Sequence, residues 1–171
     1  MVAKQGDVFP DKELYDWVVN ELKKRKIDEF RVGFLSYKIS SQWHPGVSIP
    51  RYGEELPKIL RKREVLLPLA IGLTLDNLAT QEKLPEPLQS IVAKDLAEFS
   101  FDEALAVSLA GLYGSGAVVS FGNLDQNKVG IAKELDEDTK HVNTFSDDLA
   151  EALAAAVCAR FAQHSVKLEE E

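Results

Sequence analysis

Glu64-Val65-Leu66-Leu67-Pro68-Leu69-Ala70-Ile71-Gly72-Leu73-Thr74-Leu75-Asp76-Asn77-Leu78-Ala79 is the most apolar run in this 171-residue chain. Leu66, Leu67, Leu69, Ala70 and Leu73 wrap most of a helical surface, whereas a half-buried strand would alternate apolar and polar residues. A helix that is apolar on most sides runs through a core. Asp76 is out of keeping with its neighbours, because a carboxylate on a core helix is costly unless it is paired or metal-bound. The segment from Val65 to Leu75 is too short to cross a membrane, which takes about 20 apolar residues.

The flanking segments repeat the helical period. Asp11 to Lys24 places Leu14, Trp17, Val18 and Leu22 at spacings of three and four behind Pro10. Ile27 to Ile39 fits a strand or a helix by pattern, and its helical neighbours favour a helix. Ser40 to Gly53, with Pro45, Gly46 and Pro50, reads as irregular, and Glu54 to Arg63 as a short basic-tipped helix. Pro85 and Pro87 open a helix that ends near Asp95 or Leu96. Ser100 and Glu103 form a capping box for the next. Tyr113-Gly114-Ser115-Gly116 and then Gly122 interrupt the pattern, and Asp136 to His141 is a polar loop. Thr144 or Ser146 caps a last helix that runs to about Gln163 through an Ala-rich stripe, and the tail Lys167 to Glu171 frays. The expected fold is one all-α domain over residues 1–171 with six to eight packed helices, the Glu64–Ala79 helix central among them.

A formal net charge of −8 and a pI near 5.0 argue against a nucleic-acid partner, which requires clustered Lys and Arg. The basic run Lys23-Lys24-Arg25-Lys26 closes a helical pattern, where cations complement the helix C-terminus; its other reading is contact with anionic headgroups. Cys158, the one cysteine, sits among Ala154 to Ala159 as a small packing residue. Met1 to Asp7 lacks the apolar stretch of a signal peptide, and no segment is long enough for a transmembrane span. A cytoplasmic location follows as an expectation, with any lipid contact peripheral at the membrane surface; association of identical chains stays open. His44, His141 and His164 are scattered and lack cysteines at zinc-ligand spacing. No Gly-x-Ser-x-Gly frame supports a serine nucleophile, and Tyr113-Gly114-Ser115-Gly116 lacks the Lys-Ser/Thr ending of a P-loop.

Acids carry the chemical signal. Lys94-Asp95, Phe101-Asp102-Glu103-Ala104-Leu105 and Phe145-Ser146-Asp147-Asp148-Leu149-Ala150 each stand against an apolar helix pattern. Adjacent carboxylates repel unless something positive lies between them. Several such clusters point to a hard divalent cation, Mg²⁺, which prefers carboxylate oxygens and keeps waters for a phosphate substrate. First-turn acids also complement a helix dipole without any ligand, so that reading stands beside the first. Two helix N-termini facing one cavity would offer carboxylates to a cation and free N–H groups to phosphate oxygens. Asp125 and Lys128, three apart, form a local ion pair, and Lys128 is a candidate phosphate holder. Asp76 and Asp95 are further candidate ligands.

From Lys62 to His164 the order and spacing of these pieces resemble the phosphatidylglycerophosphatase A family, in particular its soluble branch from Gram-positive bacteria. The matching pieces are Lys94-Asp95, Asp102-Glu103, Tyr113-Gly114-Ser115, Phe121-Gly122 followed by Asp125 and Lys128, and Asn143-Thr144-Phe145 before Asp147-Asp148. The resemblance implies an all-helical fold and Mg²⁺-dependent removal of the terminal phosphate of phosphatidylglycerophosphate, a phospholipid substrate met at the membrane surface. It implies that Asp102, Glu103, Asp147 and Asp148 hold the metal. Lys128 and Lys94 would meet the substrate, and Asp125, Lys128 and Asp148 would be catalytic, Asp125 orienting Lys128 or the water. The chain departs from the family pattern in two places. The family's Asp-x-x-Lys-Pro reads Asp125-Gln126-Asn127-Lys128-Val129, and the glycine after its paired aspartates is replaced in Ala150-Glu151-Ala152. Membrane-embedded members also have spans that this chain lacks. Two alternatives remain: a non-catalytic binding or stress-related protein on the same frame, and an all-α nucleotide pyrophosphohydrolase, although such folds usually place their acids as Glu-x-x-Glu and Glu-x-x-x-Asp.

Overall fold

The computed structural model describes residues 9–95 and 100–165, and all regular structure among them is helical. Six helices have eleven residues or more: α1 (Asp11–Lys24), α2 (Glu29–Ser40), α5 (Arg63–Thr80), α7 (Phe101–Gly111), α8 (Ser115–Gln126) and α10 (Ser146–Ser165). Four short ones, α3 (Ile49–Gly53), α4 (Leu56–Ile59), α6 (Leu88–Lys94) and α9 (Gly130–Asp136), raise the total above the expected six to eight. No described helix is long and apolar enough to cross a membrane. Leu96 and the tail Lys167 to Glu171 lie outside the described residues.

The centre of the bundle is α10 rather than α5. Ala150, Ala152, Ala154, Ala155 and Ala156 are fully buried together with Leu149, Leu153 and Val157. Their small side chains allow α2, α7 and α8 to pack against α10, with α9 and α5 also in contact. α5 buries Val65, Leu66, Leu69 and Leu73 but leaves Leu67 and Ile71 exposed. Alanine scores as weakly hydrophobic, yet burial is set by how many neighbours surround a helix. The apolar run therefore identified a core helix and not the most enclosed one. Pro68 lies inside α5 without ending it; the lost backbone hydrogen bond is offset by the buried faces on either side.

Two glycines shape the approach to the site. A Cβ on Gly72 would stand 2.6 Å from Leu149 Cδ1 and 2.9 Å from Phe145 Cβ, so only glycine lets α5 lie this close to the start of α10. Gly114 adopts φ +96° and caps α8, a conformation that costs glycine little; this is the break read at Tyr113-Gly114-Ser115. Gly122 breaks nothing. It is interior to α8, where the roughly 1 kcal/mol cost of a helical glycine is outweighed by burial of Ala117, Phe121 and Leu124.

Other local expectations meet similar corrections. The ambiguous Ile27–Ile39 segment is helical as α2, capped by Asp28, whose side chain accepts from the Arg31 N–H at 2.9 Å. The irregular Ser40–Gly53 stretch contains α3, with Pro50 in its first turn, and Glu54–Arg63 is helical over α4 and again at Arg63, where α5 opens. Thr144 does not cap α10: its hydroxyl donates to the Val92 carbonyl at 2.7 Å and ties the loop to α6. The capping box of α7 forms as expected, the Ser100 N–H donating to Glu103 Oε2 at 2.6 Å. Cys158 is half-buried, and burial pushes its thiol pKa up, in keeping with a packing role.

Candidate metal centre

Buried Asp76 holds the start of α10. Its Oδ1 accepts the Phe145 N–H at 3.1 Å, and its Oδ2 accepts the Ser146 N–H at 2.9 Å together with the Ser146 hydroxyl. These three donors explain why a carboxylate is tolerated on a core helix. Burial raises its pKa to about 7 against the pull of the donors and of Arg25. Asp76 thereby fixes the direction in which α10 projects Asp147, Asp148 and Glu151, whose exposures are 1%, 3% and 0%.

Around that turn the chain gathers further acids. The first turn of α7 brings Asp102 and Glu103, the end of α8 Asp125, the end of α9 Asp136, and the left-handed residue after α6, at φ 42°, Asp95. Three sets place one oxygen from each member within 4.8 Å of the others: Asp95–Asp136–Asp147, Asp102–Glu103–Asp148 and Asp125–Asp148–Glu151. Lys128, in the turn between α8 and α9, reaches into them. Its ammonium pairs with Asp147 Oδ2 and lies 3.6 Å from Asp148 Oδ1, 3.6 Å from Asp136 Oδ1 and 3.7 Å from Asp125 Oδ1.

The electrostatics follow from this crowding. Burial pushes Asp148 up to about 9, reinforced by the charge of Asp147. Burial likewise carries Glu151 to about 9, with Lys128 opposing and Asp147 adding to the rise. Asp102 rises to about 7 through burial and its contact with Glu103, while Glu103 is held low by Asp102 and the Ser100 N–H against its own desolvation. Asp147 reaches about 6, since burial outweighs Lys128. Burial works against the Lys128 cation, yet the surrounding acids, Asp147 first, hold its pKa above the usual lysine range. Both oxygens of Glu151 and Oδ1 of Asp102 are buried without a hydrogen-bond partner. An unpaired buried carboxylate is expensive, so the centre as built calls for protons or for a cation.

Of the residues singled out in the sequence, Asp95, Asp102, Glu103, Asp125, Lys128, Asp147 and Asp148 converge here. Asp76 belongs to none of the three sets and serves as the anchor of α10; Lys94 is exposed in the last turn of α6. Asp136 and Glu151 join the centre although the sequence reading left them out. Glu151 had a usable signal, because it stands four residues after Asp147 and three after Asp148 and so shares their helix face. Asp136 had none, its place being set by the turn at Lys128. The expectation that free N–H groups at the start of α10 await phosphate is not met. Phe145 and Ser146 donate to Asp76, Asp147 donates to the Asn143 carbonyl, and the Asp148 N–H donates to Asp147 Oδ1.

An all-helical bundle whose helix ends collect buried carboxylates about one ammonium defines a class of protein with an internal acid centre suited to a hard cation. The chain belongs to the phosphatidylglycerophosphatase A family, whose sequence pattern matches residues 30–163. It is 37% identical over 159 residues to the uncharacterized protein YpjQ of Bacillus subtilis, covering 93% of this chain and 90% of that one. To the uncharacterized YutG of the same organism it is 34% identical, covering 84% and 87%. The fold superposes on the crystal structure of ypjQ with a TM-score of 0.86, 36% identity and coverage of 92% and 98%. It superposes on the low temperature requirement C protein from Listeria monocytogenes with a TM-score of 0.82, 32% identity and coverage of 91% and 96%. By family the chain is phosphatase-like.

Proposed function

We propose that this protein is a Mg²⁺-dependent phosphomonoester hydrolase that removes the terminal phosphate of phosphatidylglycerophosphate to leave phosphatidylglycerol. The observation that carries the reading is the buried acid centre, above all both carboxylate oxygens of Glu151 and Oδ1 of Asp102, which are enclosed without partners. Such a donor set fits a hard cation with oxygen ligands. Asp102, Glu103 and Asp148 would hold it, with Asp147, Asp125 and Glu151 alongside. A bound Mg²⁺ supplies Lewis acidity to the phosphate oxygens and lowers the pKa of a water it carries.

The remaining roles fall to side chains. Lys128 is positioned to exchange its pairing with Asp147 for a phosphate oxygen and so neutralise substrate charge. Asp125 and Asp136, 3.7 and 3.6 Å from that ammonium, orient it. Because the N–H groups that open α10 are occupied, the phosphate depends on Lys128 rather than on the N-terminus of α10. Phe101 is 47% exposed directly before Asp102, and its ring lies 5.6 Å from that of Phe145. It gives the centre an apolar edge suited to the glyceride part of a lipid at a membrane surface.

The test is release of inorganic phosphate from phosphatidylglycerophosphate in mixed micelles, with Mg²⁺ and with EDTA, alongside glycerol 3-phosphate and a nucleoside triphosphate. Release from the lipid only when Mg²⁺ is present is the expected result. Absence of release under conditions where a known phosphatase works would leave the binding-only alternative, and pyrophosphate from the nucleotide would replace the reading with a pyrophosphohydrolase.

A further inference from the structure

We propose that the acid centre holds two divalent cations per chain, one in Asp102–Glu103–Asp148 and one in Asp125–Asp148–Glu151, with Asp148 common to both. The inference rests on the metal reading above and adds a second ion to it, with Glu151, a residue at which this chain departs from the family pattern described above, as that ion's distinguishing ligand.

Three observations carry it. Each of the two sets contains its own buried, unpartnered carboxylate oxygen: Asp102 Oδ1 in the first, both Glu151 oxygens in the second. Asp102 is 7% exposed and Glu151 0%. Neither therefore has ready access to bulk water, and Lys128, 3.6 Å from Asp148 Oδ1 and 3.7 Å from Asp125 Oδ1, leaves both Glu151 oxygens and Asp102 Oδ1 without a donor. The third set, Asp95–Asp136–Asp147, has no such orphan. Lys128 already pairs with Asp147 and borders Asp136, and Asp95 and Asp136 are exposed.

Charge points the same way. Asp95, Asp102, Glu103, Asp125, Asp136, Asp147, Asp148 and Glu151 make eight acids around one lysine. One divalent ion with Lys128 offsets three of those charges when all are ionised, and two ions offset five. Geometry supplies the link, since Asp148 and Glu151 are three apart on α10 and face the same side, with Asp148 the residue that appears in both sets. A carboxylate shared between two ions is the usual bridge of two-metal phosphoryl-transfer sites.

The experiment is calorimetric titration of EDTA-stripped protein with Mn²⁺ as the probe, together with electron paramagnetic resonance of the loaded protein. The wild-type chain is expected to bind two ions and to give the broadened, spin-coupled spectrum of a Mn²⁺ pair. Glu151→Gln is expected to bind one ion and give the six-line spectrum of isolated Mn²⁺, and Asp102→Asn should likewise bind one. A wild-type stoichiometry of one, or two ions retained in Glu151→Gln, overturns the inference while leaving a single-metal phosphatase intact. A stoichiometry of zero overturns both. Should a variant fail to fold, the wild-type spectrum at saturation decides alone: coupled spins sustain the pair, and an uncoupled six-line signal overturns it.

Discussion

Asp76 on α5 accepts both the N–H and the hydroxyl of Ser146, so one buried carboxylate sets where the first turn of α10 begins. Every acid that α10 contributes to the centre follows within five residues of Ser146, and the position of the centre therefore depends on a residue outside it.

Asp76→Ala removes the acceptor for three buried donors, the N–H groups of Phe145 and Ser146 and the Ser146 hydroxyl. The Ser146 N–H keeps the Asn143 carbonyl at 2.9 Å, which leaves two donors unsatisfied at about 1–3 kcal/mol each, so the variant is expected to lose at least about 2 kcal/mol. For a chain of this size each kcal/mol lowers Tm by about 2–4 °C. Asp76→Asn keeps one oxygen acceptor and should fall between the two. A calorimetric melt checks the order; an Asp76→Ala protein as stable as wild type would remove the anchoring role.

The metal-free protein is expected to lose stability as pH rises from about 5 to about 9. Asp148 and Glu151 are raised from ordinary carboxyl values to about 9 by burial and by neighbouring acids. In that window the folded chain binds more protons than the unfolded one, so unfolding becomes easier with increasing pH. Stability from these groups is complete below the unfolded values near 4 and gone above 9. Saturating Mg²⁺ should flatten the decline, because ligation requires the deprotonated form. Melting temperatures between pH 5 and 9 in EDTA and in Mg²⁺ give the comparison, and a flat profile in EDTA would contradict the assignment.

How far these features could be read in the sequence depended on the kind of interaction. Helices announced themselves through spacing, as at Leu14, Trp17, Val18 and Leu22, and the Ser100–Glu103 capping box is purely local. The acid pairs were visible as adjacent like charges that need a reason. What stayed hidden is long-range. That α10 and not α5 is the most enclosed helix depends on how many neighbours its alanines admit. That Asp76 serves Ser146, seventy residues away, depends on the approach that Gly72 permits. Glu151 read as a departure from a family pattern because its meaning lies in the carboxylates around it.

Lys128→Met should lower kcat/KM for phosphate release by about 10- to 100-fold, the equivalent of one charge-assisted hydrogen bond of about 1.5–3 kcal/mol. Lys128→Arg keeps the cation and should retain most of the activity. Steady-state kinetics on the lipid substrate measure both. Equal activity in Lys128→Met and wild type would show that the ammonium balances charge in the resting protein and takes no part in binding substrate.

The central claim, that the acids gathered at the start of α10 bind a divalent cation, is tested most directly by the thermal melt of wild type and Asp148→Asn with and without Mg²⁺. Binding to the folded state alone adds about 2.7 kcal/mol at a hundredfold excess over Kd, which raises Tm by about 5–10 °C in a chain of this length. Wild type is expected to show that rise. Asp148→Asn should lose it and, without metal, be at least as stable as wild type, because a buried carboxyl that resists ionisation beside Asp147 is replaced by a neutral amide. A wild-type Tm indifferent to millimolar Mg²⁺, with Asp148→Asn less stable than wild type, would contradict the account and leave the acids as helix-dipole partners only.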